Sequence, residues 1–164
     1  MNNHEIVVAV TGGNRGIGFE ISQQLAQRGA RVVLSARSAE TGNTAVEKLG
    51  SKSKNVSFHQ LDVTSTESIH ALRDFIKKTF TRLDVLINNA GILLDDDSSG
   101  LKVDLATVRA TLETNSLAPL HLSQVMAPLL KRSRAGRIVN MSSGMGHCLK
   151  WLGTTRPIAS RKLR

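Results

Sequence analysis

The stretch Thr11-Gly12-Gly13-Asn14-Arg15-Gly16-Ile17-Gly18 constrains this chain more than any other. A short apolar run, Ile6 to Val10, leads into it, as a buried parallel strand would. Ile17, Ile21, Leu25 and Ala26 follow at helical spacing, and Gly29 stops that helix. Glycine permits the tight turn between strand and helix and lets a pyrophosphate approach the main chain. The helix start then offers free N–H groups and a positive dipole end to that anion. The glycine spacing differs from the generic G-x-G-x-x-G, and a Gly-rich turn can be a mere connection. The strand–turn–helix context favours a cofactor-binding turn.

The alternation continues along the chain. Strands are predicted at Arg31 to Ala36, Val56 to Leu61, Leu83 to Asn88 and Arg137 to Met141. Helices are predicted at Thr44 to Leu49, at Ser65 to Phe80 with Ile69, Leu72, Phe75 and Ile76 inward, and at Asp104 to Leu130. Such alternation implies an α/β fold, a parallel sheet with helices on both faces. Ligands of such sheets bind beyond the carboxyl ends of the strands, where strand order reverses.

The other strand ends also carry candidate chemistry. The second reads Ser35-Ala36-Arg37-Ser38, with no acid to hold the adenosine ribose hydroxyls. Arg37, with Arg15 from the first turn, could pair with a 2′-phosphate, which favours NADP(H) over NAD(H); the bland alternative is two solvated arginines. Asp62, in Leu61-Asp62-Val63-Thr64, could accept from an adenine amine or serve as a turn carboxylate. Asn88-Asn89-Ala90-Gly91 could let the backbone pass close to a ligand, or be a plain Asn-rich turn. Asn115 is a poor helix residue, and Pro119 lacks the N–H its carbonyl would bond. The pair should kink the helix and free that carbonyl. Asn140-Met141-Ser142-Ser143-Gly144 ends the fifth strand with hydroxyls that could bond a substrate carbonyl.

Composition narrows the classes. The 164 residues, 40% hydrophobic and 21% charged, suit one domain with a core. No apolar run approaches the roughly 20 residues of a membrane helix. With no visible signal peptide and a lone Cys148, a soluble cytoplasmic protein is expected. The net charge is +9, but residues 147–164 hold five basic residues and no acid. In residues 1–146, 17 basic against 13 acidic residues leave +4. That suits an enzyme with an anionic ligand, and no basic, aromatic-interleaved stripe argues for nucleic acid.

Thr-Gly-x-x-x-Gly-x-Gly, Asn-Asn-Ala-Gly, a mid-helix Asn and Ile-Val-Asn-Met-Ser-Ser, in that order, resemble the short-chain dehydrogenase/reductase family, and its NADPH-dependent carbonyl-reductase-like branch most. The resemblance runs from about residue 5 to residue 146. It implies a doubly wound, Rossmann-like sheet, here of five strands in order 3-2-1-4-5, with residues 1–146 as the NADP-binding domain. By the resemblance Gly12, Gly16 and Gly18 frame the pyrophosphate, with Asn14, Arg15 and Ile17 beside them. Arg37 meets the 2′-phosphate, and Asp62 and Val63 lie at the adenine. Asn88, Asn89, Ala90 and Gly91 line the cofactor cleft. Asn115 joins the proton relay and Ser143 polarises the substrate carbonyl. The implied reaction is hydride transfer between NADP(H) and a small-molecule carbonyl or alcohol, without metal, membrane or nucleic acid, in a family often homo-oligomeric.

One departure stands out. The family's general acid is the tyrosine of a Tyr-x-x-x-Lys motif, and this chain has no tyrosine. The expectation is a truncated, inactive or very slow reductase; the alternative is a catalytically dead NADP-binding module or partner subunit. Residues 147–164 are expected to be the active-site segment read out of frame after one base was lost near codon 147. A histidine codon ends in a pyrimidine and a cysteine codon begins TG, so the triplet spanning His147 and Cys148 encodes leucine. The triplet spanning Pro157 and Ile158 can encode tyrosine, and the one spanning Arg161 and Lys162, four codons on, lysine. The rival account is a natural short form with a basic tail.

Overall fold

The computed structural model describes residues 5–94 and 102–142. Five parallel strands form one sheet: β1 (Val7–Thr11), β2 (Arg31–Ala36), β3 (Val56–Gln60), β4 (Val85–Asn88) and β5 (Arg137–Asn140). Their order is β3-β2-β1-β4-β5, as expected, with register Val8↔Val32, Val32↔Val56, Val8↔Val85 and Val85↔Arg137. The helices are α1 (Gly16–Gln27), α2 (Ala39–Lys48), α3 (Thr66–Phe80), α4 (Leu105–Leu112) and α5 (Ala118–Leu130).

β1 is buried along its whole length because helices cover both faces of the sheet. Its side chains alternate between two cores. Val7 and Ala9 pack with Ile69, Leu72 and Ile76 of α3 and with Leu122, Met126 and Leu129 of α5. Val8 and Val10 pack with Ala26 of α1 and Ala45 of α2, with Ile21 and Leu25 at the margin. Each fully buried leucine or isoleucine of this kind contributes about 1.5–3 kcal/mol. Among the described residues β5 pairs only with β4, and all four of its residues are exposed. No described helix is long and apolar enough to cross a membrane.

Several boundaries differ from expectation. β1 ends on Thr11, one residue later than the apolar run, and β4 begins at Val85. α2 starts at Ala39, five residues early, because the Ser38 hydroxyl accepts from the Thr41 N–H and caps it. Ile17 follows the helical spacing of Ile21 and Leu25 but is 65% exposed. The buried face of α1 runs through Gly18, Ser22 and Ala26, so Ile17 lies to one side of it. The long helix is not a simple kinked helix. Glu113–Leu117 form a π turn between α4 and α5, in which the Ala118 N–H reaches back to the Glu113 carbonyl. Pro119 follows at once and has no N–H to donate to the Asn115 carbonyl, and the helix shifts register beside it.

Candidate functional site

The carboxyl ends of β1 and β4 meet where the strand order reverses, and one buried hydroxyl ties them together. Thr11 Oγ1 accepts the N–H of Asn89 at 3.0 Å and of Ala90 at 2.9 Å, and donates to the Ile87 carbonyl in a long bond of 3.4 Å. The Asn89 amide returns across the gap, donating to the Thr11 and Gly12 carbonyls at 2.9 and 3.1 Å. Thr11 belongs to the turn as read from sequence but carried no role there. Its only signal is a hydroxyl at the end of an otherwise apolar strand.

The glycines are explained by this clasp. Gly12 has φ +63°, and a Cβ on it would lie 3.0 Å from Ala90 Cα. A Cβ on Gly18 would overlap the Asn89 amide and the Gly12 carbonyl. Gly16 differs: nothing lies within 4 Å of an added Cβ, but its φ of +55° demands glycine. The Gly13 N–H bonds the Ser35 carbonyl at 2.8 Å and fixes the turn against β2. The result is a bare main-chain loop at the start of α1, with Asn14 held to Thr41 Oγ1 at its side.

Arg15, within this loop, and Arg37, just past the end of β2, are both exposed, and neither forms an ion pair among the described residues. Ile17 is exposed beside them. Asp62 Oδ1 accepts from the Thr64 N–H and hydroxyl at 2.9 and 2.7 Å, so this oxygen closes a turn. Those two bonds, with help from the Arg37 charge, hold the Asp62 carboxyl below its usual range. Oδ2 lies outside the turn bonds. Val63 packs against the core beside α3.

Asn88 does not line the cleft. It is 3% exposed, and its Nδ2 donates to Asn140 Oδ1 at 2.8 Å, bracing β4 against β5 beneath the site. Its Oδ1 is buried without a partner among the described residues. Asn115 sits in the π turn and spends its whole side chain on the loop after β4. Its Oδ1 accepts the Ile92 N–H at 2.9 Å and its Nδ2 donates to the Ile92 carbonyl at 2.7 Å. A Cβ on Gly91 would come within 3.3 Å of Asn115 Oδ1, so a glycine stands where the loop passes the helix. What Asn115 has left is its main-chain carbonyl, which Pro119 cannot serve. Ser143 and residues 147–164 lie outside the described residues. No group of three His, Cys, Asp or Glu side chains suited to a metal occurs among the described residues.

The family model for short chain dehydrogenases matches residues 6–153. The chain belongs to the short-chain dehydrogenase family. It is 41% identical over 147 residues to carbonyl reductase [NADPH] 1 of Mus musculus, an alignment covering 87% of this chain and 50% of that protein. The solved salutaridine reductase of Papaver somniferum superimposes with a TM-score of 0.75 at 37% identity, over 87% of this chain and 58% of that one. A metagenomic short-chain oxidoreductase solved in complex with NADP gives 0.78 at 32% identity, over 84% and 62%. The chain spans about half the length of the curated relatives it matches. Both the family and the sheet order expected from the sequence are thereby established.

Proposed function

We propose that residues 5–142 are the cofactor-binding part of an NADP(H)-dependent reductase of small carbonyl compounds. One observation carries the reading: the glycine turn at the start of α1 carries an exposed arginine without an ion pair among the described residues, Arg15, and a second, Arg37, stands exposed at the end of β2, to which Gly13 of the turn is bonded. A dinucleotide phosphate suits that arrangement. The bare N–H groups at the start of α1 would hold the pyrophosphate. The two guanidinium groups would hold a 2′-phosphate, which NAD(H) lacks. Asn14 and Ile17 would border the pyrophosphate, and Asp62 Oδ2 and Val63 the adenine. Asn89, Ala90 and Gly91 would form the wall next to β4. Bound NADPH would supply a hydride to the substrate carbonyl carbon.

At that end, the Asn115 carbonyl would accept a bond from water in the proton path, while its side chain fixes the loop at Ile92. The Ser143 hydroxyl would donate to the substrate oxygen. Reduction of a carbonyl also needs a proton donor at that oxygen, and these 164 residues contain no tyrosine. The proposal is therefore cofactor binding without measurable turnover. The same missing acid favours a second reading, a cofactor-binding module or partner subunit without its own chemistry.

The arginines give the test. Calorimetric titration of the chain and of Arg37→Ala with NADPH and NADH should show NADPH bound about tenfold tighter by the parent, the effect of one ~1.4 kcal/mol charge-assisted contact. The variant should lose most of that ratio and keep its NADH affinity. An unchanged ratio in Arg37→Ala would remove the assignment.

A further inference from the structure

At the opposite end of the strands, where β1, β4 and β5 begin, lies a cavity of about 300 Å³ lined by four arginines and one carboxylate. The carboxylate, Asp84, is fully engaged. It accepts the Val7 N–H at 2.8 Å, Arg82 Nε at 3.2 Å and the Ser133 hydroxyl. Burial would raise its pKa, but the bonds from Ser133, Val7 and Arg82 outweigh that and hold the carboxyl below its usual range. Arg82 also donates to the Glu5 carbonyl, and Arg132 to the Thr81 carbonyl at 3.1 Å. Arg134 and Arg137 make no side-chain hydrogen bond or ion pair among the described residues. The loop that carries them is held in place. The Ser133 N–H bonds the Leu130 carbonyl, the Ala135 N–H bonds the Ser133 hydroxyl, and the Arg137 N–H bonds the Asp84 carbonyl.

Arg82 offsets the Asp84 charge, so Arg132, Arg134 and Arg137 leave the lining with a net positive charge that an anion would balance. Guanidinium binds phosphate oxygens in a two-point fork, so arginine clusters select phosphates. Ile6, Val85 and Ala135 give the cavity an apolar wall, which inorganic phosphate would leave uncovered. The volume is at the small end of the roughly 300–1,000 Å³ of ligand pockets. We propose that this cavity is an anion site for a small phosphate monoester with an apolar body, at the opposite end of the strands from the Gly12–Gly18 turn.

The test uses the full 164-residue chain and phenyl phosphate as probe, with inorganic phosphate and phenol beside it. Affinity is read by calorimetry and location by amide chemical shifts. Phenyl phosphate should bind at least tenfold tighter than either companion and shift the amides of Ser133, Ala135 and Arg137. The pair Arg134→Gln and Arg137→Gln should weaken it tenfold or more, and Arg134→Gln alone severalfold. Both side chains are exposed, so the melting curve and the shifts that NADP(H) induces at Gly12–Gly18 should not change. The proposal is overturned if phenyl phosphate does not saturate or if inorganic phosphate binds equally well. It is also overturned if the shifts fall only on Gly12–Gly18 and vanish in Arg15→Gln.

Discussion

Replacing Thr11 by valine isolates the hydroxyl that joins β1 to β4. Valine keeps the β-branched shape of threonine, so packing and strand preference hardly change. What disappears is the acceptor for two N–H groups, at 3.0 and 2.9 Å, and a weak donor to the Ile87 carbonyl. The Thr11 side chain is buried, at 1% exposure, and the two amides are partly buried. Leaving a buried donor unpaired costs about 1–3 kcal/mol; for two partly buried ones the lower half applies, or roughly 2–4 kcal/mol together. Thr11→Ser is the counterpart. It keeps the hydroxyl and deletes one methyl, at about 0.5–1.5 kcal/mol. Urea unfolding should therefore rank Thr11→Val as the more damaging, by about 0.5 kcal/mol or more at equal m-value. Hydrogen exchange gives a local check: the Asn89 and Ala90 amides should lose protection in the valine variant and keep it in the serine variant. If serine proves as damaging as valine, packing and not the hydroxyl holds the strand ends, and the reasoning fails.

Stability should also depend on pH through His59, whose ring is half-buried with its centroid 5.0 Å from that of Phe75. Burial lowers its pKa below 6.5 and outweighs the opposing pull of the Gln60 backbone. The unfolded ring takes up a proton near pH 6.5 while the folded ring resists, so stability is full above 6.5 and falls as pH drops below it. The melting temperature should decline over that window, and His59→Gln should flatten the decline while leaving a further loss below about pH 4 from Asp84 and Asp62. The exposed Ile138 on β5 should promote self-association along that strand, so Ile138→Lys should lower light scattering at high concentration; equal scattering would clear the strand. DNA sequenced across codons 146–163 should show a tyrosine triplet followed four codons later by lysine in the shifted frame. A stop codon before that tyrosine would refute the frameshift.

The strands were legible because a sheet covered on both faces demands unbroken apolar runs, which Val7 to Val10 and Val32 to Leu34 supply. The sheet order followed from the family's motifs and not from periodicity. Side-chain direction was less legible. Asn88 and Asn89 are neighbours in sequence, yet one braces β4 beneath the site and the other clasps the first turn above it. The two-residue period of a strand separates them, but only the register with β5 says which goes where. Ile17 fits the helical spacing and still lies outside the core, because the face of α1 that packs closest is the stripe of small residues Gly18, Ser22 and Ala26. Pro119 announced a break in the long helix, but whether it would be a kink or a π turn depends on how the flanking carbonyls find partners. The role of Thr11 rests on groups 76 or more residues away, beyond any local pattern.

The central claim is that these residues alone build a dinucleotide site whose chemistry lacks its acid. The direct measurement is calorimetry of the folded 164-residue chain with NADPH, run beside steady-state NADPH oxidation with a panel of aldehydes and ketones. The account predicts saturable NADPH binding, abolished by crowding the turn with Gly18→Val, and no oxidation above background. A chain that folds but binds no NADPH, or one that turns over a carbonyl substrate without a tyrosine, would contradict it.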